Sequence, residues 1–212
     1  MKRGRRKAKN PETARRILAA AEQIFAQRGL AGARTEEIAA AAHANKAMLY
    51  YYYGDKQRLY RAVIENLFSQ LRRSIESARP ANASPRGHLL AYVNGYFDFV
   101  STHPNYPRIV QREVMESGPQ LHWIVQKYFR PFHKRLSRAI EEGIAAGEIQ
   151  PVDSHNTVFS IIAITVFYFA AAPVVSRVLG RDALRPQAVA ARKRAVLDFL
   201  ERGLFRSPKR AK

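Results

Sequence analysis

The sequence contains no cysteine. Disulfides, thiolate metal sites and a cysteine nucleophile are excluded with it, and a reducing compartment such as the cytoplasm fits. Acidic residues are scarce: 17 Asp and Glu face 36 Lys and Arg, a formal charge of +19. A surplus of that size repels itself unless an anion screens it. Nucleic acid is the first partner to fit and an anionic membrane the second, while a basic solubilising surface needs no partner. The charge does not point to one place, because residues 1–60 hold 13 basic and 5 acidic side chains and the remainder 23 and 12.

Signatures of catalysis are missing as well. The six histidines (His43, His88, His103, His122, His133 and His155) form no HExxH, and no P-loop, GxGxxG or GxSxG occurs. No pair of carboxylates has a useful spacing. The reading is therefore not an enzyme, with no cofactor and no metal. Strand-like alternation and internal repeats are absent too. An N-terminal leader is not expected, since basic Lys2 to Lys9 is followed only by the short apolar stretch Ile17 to Ala21 before Glu22. One uncharged run stands out, the 18 residues from Val158 to Val175, at the lower limit for a membrane span. It contains Ser160, Thr165 and Pro173, and a helix buried in a core or subunit interface explains it without a membrane.

What is present reads as helix after helix. Residues 1–9 are a basic arm. Asn10-Pro11-Glu12 has the cap, first-turn proline and acid of a helix start. Ile17, Ala20, Ala21, Ile24 and Phe25 then fall on one helical face, and Gly29 is expected to stop the helix. Thr35 is expected to cap a short second helix with Ile38 and Ala41 or Ala42 facing inward. His43-Ala44-Asn45 breaks it, and Asn45 caps a third helix from Lys46. Gly54-Asp55 ends the third and caps a fourth, in which Leu59, Val63 and Leu67 form one apolar row and Tyr60, Ile64, Phe68, Leu71 and Ile75 another. The stretch 77–87, rich in Pro, Ala and Ser, is the clearest joint. Further helices are expected near 86–102, 105–116, 119–146, 154–179 and 186–205, and then a basic tail, 207–212.

Two short helices joined by a tight turn let the second enter a DNA major groove while the first crosses the backbone. The requirements are met: small residues Ala39 to Ala42 on the first helix, an inward anchor, Leu49, on the second, and Lys46, Ala47, Tyr50 and Tyr51 on its outer face. Tyr53 reads as core. From Ile17 to Val63 the sequence resembles the DNA-binding domain of the tetracycline-repressor (TetR) family. The match runs through ILAAAEQIFAQRGLAGARTEEIAAAA and NKAMLYYYYGDKQRLYRAV. Departures lie at His43, where the family usually has Gly, and at Tyr52 and Tyr53, where His and Phe are usual. His tolerates the left-handed backbone that such a turn often needs.

The resemblance implies an all-α fold: an N-terminal three-helix helix-turn-helix domain plus a C-terminal helical bundle for ligand binding and dimerisation. The division it implies is 10–56 for the DNA-binding domain and 57–206 for the effector and dimer domain. The expected partners are double-stranded DNA, a small-molecule effector and a second copy joined through helices near 154–176 and 186–205. The DNA-binding set is Arg34, Thr35, Asn45, Lys46, Ala47, Tyr50, Tyr51, Tyr52 and Lys56. Among these, Thr35, Tyr51, Tyr52 and Lys56 are implied phosphate contacts; Lys56 also reads as a solvated charge. Lys46, Ala47 and Tyr50 sit at base edges or adjacent backbone. The candidate effector-site residues are His88, Tyr92, Tyr96, Arg112, Trp123, Tyr128, Phe129, Thr165 and Phe169, with Phe132 beside them. They are aromatic and polar groups that also read as core. In the last helix Val189, Val196, Leu197, Leu200 and Leu204 are expected to help cover the uncharged run across the dimer. A repressor released by its effector is the implied function. A basic architectural or membrane-anchored protein is the competing reading.

Overall fold

The computed structural model describes residues 10–206. The arm 1–9 and the tail 207–212 lie outside the described residues. The chain forms α1 (Pro11–Gly32), α2 (Thr35–Ala41), α3 (Lys46–Tyr53), α4 (Lys56–Ser77), α5 (Pro85–Thr102), α6 (Asn105–Met115) and α7 (Leu121–Ile124). A π-helical turn, Val125–Phe129, leads into α8 (Arg130–Ala145), and α9 (Ser154–Ala170), α10 (Ala172–Leu179) and α11 (Pro186–Gly203) complete it. Among the described residues the extended pairing is one isolated antiparallel bridge, Ile149 with Phe205. The chain is all-α.

The local signals act as their chemistry requires. Asn10, Asn45, Asp55 and Ser84 each accept a backbone amide in the first turn of the helix they precede, at 2.9, 2.8, 2.7 and 3.3 Å. Each satisfies an amide that has no partner inside the helix. One expected cap is corrected. Arg34 is the cap position of α2 and its side chain makes no capping hydrogen bond, while Thr35 is already the first helical residue. Its buried hydroxyl turns to the Glu36 carboxylate, 3.2 Å away, instead of an amide.

Gly29 breaks α1 without ending it. Its φ of 68° is left-handed, and the helix resumes to Gly32. A Cβ at Gly29 would lie 2.7 Å from the Arg112 guanidinium, so the glycine also lets α6 approach α1. At the α4–α5 crossing a Cβ on Gly95 would lie 2.4 Å from the Ile75 Cα, so only a glycine lets the two backbones meet. Ser74 Oγ donates to the Gly95 carbonyl there, at 2.8 Å.

A continuous apolar cluster runs from Ile17 of α1 through both rows of α4 to Leu200 of α11. Two long expected helices are broken. The stretch 119–146 becomes α7, the π-helical turn and α8. The stretch 154–179 bends by 75° between α9 and α10. No single described helix is long and apolar enough to cross a membrane.

The last helix corrects a further expectation. Val189, Val196, Leu200 and Leu204 are buried within their own chain, and Leu197 packs partly against the same core. The apolar surface left open lies elsewhere on these elements, at Phe159 and Phe167 of α9 and at Phe199 of α11, which are 61–66% exposed.

Candidate DNA-binding surface

The reading head is built from α2, a four-residue turn and α3. Ile38, Ala39 and Ala42 are buried and Ala40 and Ala41 are exposed, so the small residues that let α3 approach are Ala39 and Ala42. His43 takes φ 48° in the turn, the left-handed conformation anticipated for it. Leu49 is fully buried and anchors α3 from inside. With Leu49 inward, helical geometry turns Lys46, Ala47, Tyr50 and Tyr51 outward, and all four are exposed.

Lys46 is not idle on that face. Its ammonium pairs with the Glu36 carboxylate of α2 and lies 5.9 Å from the centre of the Tyr50 ring. The ammonium's hydrogen bond is the main cause holding the Glu36 carboxyl down to about 2, and Glu36 in turn raises Lys46. Lys46 is therefore cationic at any physiological pH and steered by α2. Tyr51 and Tyr52 meet edge to face at 5.2 Å.

Three candidate residues also have structural tasks. Asn45 spends its side-chain oxygen on the α3 cap. The Tyr52 hydroxyl accepts the Asn10 amide at 2.9 Å, tying α3 to the start of α1, and keeps its own proton for another acceptor. Half-buried Lys56 donates to the Ala33 and Ala31 carbonyls at 3.0 and 3.3 Å, where α1 ends. Its ammonium thus satisfies orphan carbonyls. Tyr53, read as core, is half-buried and donates to the Ala14 carbonyl at 2.7 Å; burial raises its hydroxyl. Arg34 is exposed between α1 and α2.

Nothing in the sequence pattern marks the role of Glu36, nor that of Arg28, whose guanidinium pairs with Glu37 at 2.7 Å across the α1–α2 joint. Neither contact has a periodic signal, because each spans a turn.

The head is fastened to the rest of the chain through α4. Arg61 donates to the Gln120 side chain at 2.6 Å and lies over the Trp123 ring. The Gln120 amide donates to buried Glu113, 3.1 Å away, whose carboxylate joins burial in raising the Tyr60 hydroxyl. Further along, Glu65 pairs with Lys127, and Phe68 stacks on Tyr128 at 4.2 Å.

Of the expected effector-site residues, Tyr92, Tyr96 and Phe169 meet around the Tyr96 ring, with Phe132 against Tyr92, and the others have further partners. Trp123, Tyr128 and Phe129 line the α4 contact. Arg112 presses on Gly29 and pairs with Glu116 at 3.6 Å. Tyr92 and Tyr96 are buried together beside Phe132, and burial raises both hydroxyls. Thr165 is buried and donates to the Ile161 carbonyl at 2.6 Å, and His88 is half-buried on α5. Phe169 alone of the set lines a cavity of about 330 Å³ framed by α5, α6, α9, α10 and α11. Its ring packs on Phe97 at 5.2 Å and on Tyr96 at 6.0 Å.

A helix pair joined by a tight turn, with a charged and aromatic outer face and a helical bundle behind it, defines a helix-turn-helix DNA-binding regulator. Comparison with known proteins agrees and is more specific. Residues 17–63 match the family model for bacterial regulatory proteins of the tetR family, and residues 85–200 match a tetracyclin repressor-like C-terminal domain. The chain is 30% identical over 198 residues to the HTH-type transcriptional repressor SCO4008 of Streptomyces coelicolor, covering 89% of this chain and 98% of that one. It is 28% identical over 138 residues to the repressor NicS of Pseudomonas putida, a match spanning 64% of this chain and 59% of NicS. The crystal structure of a transcriptional regulator, SCO4942 of Streptomyces coelicolor, superposes with a TM-score of 0.69 at 26% identity over 92% of this chain and 99% of that one. KstR2 of Mycobacterium tuberculosis shares the fold at the same TM-score and 20% identity, over 97% and 100% of the two chains. The chain belongs to the TetR family of transcription regulators, whose members are not enzymes.

Proposed function

We propose that this regulator is a repressor that binds a pseudo-palindromic operator as a homodimer and is released by a small-molecule effector. The observation that carries the reading is the outward face of α3, where Lys46, Ala47, Tyr50 and Tyr51 stand exposed on a head held rigid by Leu49. On that face Lys46 donates to a guanine edge, Ala47 sits against a thymine methyl, and Tyr51 and Tyr52 meet phosphates. Thr35, Arg34 and the start of α4 complete the backbone contacts, and the functional division falls at 10–56 and 57–206.

Two copies pair through α9 and α11, burying Phe159, Phe167 and Phe199. Twofold symmetry then presents two heads to two half-sites. The repressor names of SCO4008 and NicS support the sign of regulation. A structural neighbour of 17% identity, a transcriptional regulator from Saccharomonospora viridis, was crystallised in complex with choline, so this fold can hold a small molecule. The cytoplasm is where such a protein meets its operator.

Footprinting of the purified protein on the intergenic DNA beside its own gene tests the reading. A protected pseudo-palindrome is expected. Lys46→Ala combined with Tyr51→Ala is expected to abolish the footprint while the protein stays folded by circular dichroism. Undiminished protection by the double variant refutes the assignment of α3.

A further inference from the structure

The cavity framed by α5, α6, α9, α10 and α11 has a volume of about 330 Å³, inside the range of small-molecule sites. Its wall is apolar, with Pro107, Phe169, Leu184 and Val189 among its lining, and two polar side chains of α6, Arg108 and Gln111, enter from one side. These are three positions apart and so share a helix face. Arg108 is solvent-exposed and has no carboxylate within ion-pairing distance among the described residues, so its guanidinium is open to an anion. One acid, Asp182, also lies on the lining, where it accepts the Leu184 amide at 2.8 Å and remains solvent-exposed.

We infer that this cavity is the effector site and that it takes a small organic monocarboxylate, its apolar body against Phe169 and Leu184 and its carboxylate on Arg108. The inference rests on the effector-released reading above and names the chemistry of the effector. A guanidinium presents parallel N–H donors that match the two oxygens of a carboxylate. Gln111 supplies a neutral donor beside it; both side chains are solvent-exposed, so the apolar body of the ligand against Phe169, Leu184 and Val189 carries the rest of the binding. A second hollow, between α6 and α1, is bordered by the same Arg108 and Gln111. Engagement of Arg108 by a ligand therefore alters the side of α6 that meets α1, one turn before Arg112 presses on Gly29.

The test uses the full chain, with benzoate, hexanoate, benzamide and benzyltrimethylammonium as probes at millimolar concentration, the range expected for ligands of so few atoms. Calorimetric titration is expected to show the two carboxylates binding at least tenfold tighter than benzamide. Arg108→Gln is expected to remove that advantage while the unliganded variant keeps operator affinity. Equal binding of benzamide, tighter binding of the ammonium probe, no binding of either carboxylate, or carboxylate affinity unchanged in Arg108→Gln each overturns the assignment. Operator binding by the unliganded wild type is measured alongside. If that binding is present, a failed carboxylate leaves the regulator reading standing; if it is absent, the regulator reading fails by itself.

Discussion

Lys46 and Glu36 set the electrostatics of the reading head between them. Glu36 holds the lysine on the outer face of α3 but also competes with DNA for it and repels phosphate. Glu36→Gln is therefore expected to tighten non-specific binding severalfold at low salt and to narrow the preference for operator, as read by competition with random duplex. An unchanged preference would show that the pair has no part in recognition. The same contact has an acid limit. Because the Glu36 carboxyl is lowered from 4.5 to about 2, its contribution to folding is complete above pH 4.5 and fades as pH falls toward 2. Glu36→Gln is expected to lose stability less steeply than wild type over that window in acid titrations followed by circular dichroism. Parallel curves would show that the pair adds nothing to the fold.

At the scale of elements, two glycines decide how helices meet. A methyl at Gly95 runs into the Ile75 backbone, which cannot rotate away as a side chain would. Gly95→Ala is expected to destabilise the protein by about 2 kcal/mol or more, in the range of overpacked cores, as a shift in the urea midpoint. Stability within error of wild type would mean that the crossing is looser than this geometry. Leu49 acts in the opposite sense, through what its removal leaves empty. Leu49→Ala is expected to cost about 2–5 kcal/mol of local stability. Hydrogen exchange should then quicken in α2 and α3 ahead of α9 and α11. Uniform quickening would show that the head does not open as a unit.

For the whole molecule the question is what covers the open apolar face. Phe199 of α11 is 66% exposed, and Phe159 and Phe167 of α9 are 61% and 65% exposed. Burying aromatic surface of that size is a main driving force for association. Phe199→Glu is expected to yield monomers by sedimentation and to weaken operator binding strongly, since one head alone reads half the site. A persistent dimer would move the interface elsewhere. The basic arm belongs to this scale too, although it lies outside the described residues. Its deletion is expected to flatten the salt dependence of operator binding, because fewer counterions are released.

The sequence by itself determined the helices of the head and which face of α3 turns outward. Caps at Asn10, Asn45 and Asp55, the left-handed turn at His43 and the inward phase of Leu49 depend on neighbours within a few residues, so they are written locally in the chain. Only the tertiary structure decided what meets across turns and between helices. It paired Lys46 with Glu36, set Lys56 on the carbonyls that end α1, and turned the apolar row of α11 into its own core. It also gathered Tyr92, Tyr96 and Phe169 into one aromatic cluster and opened a hollow beside Phe169 and Arg108. Contacts of that kind depend on how helices cross, and crossing is set by packing at positions such as Gly29 and Gly95 that carry no periodic signal.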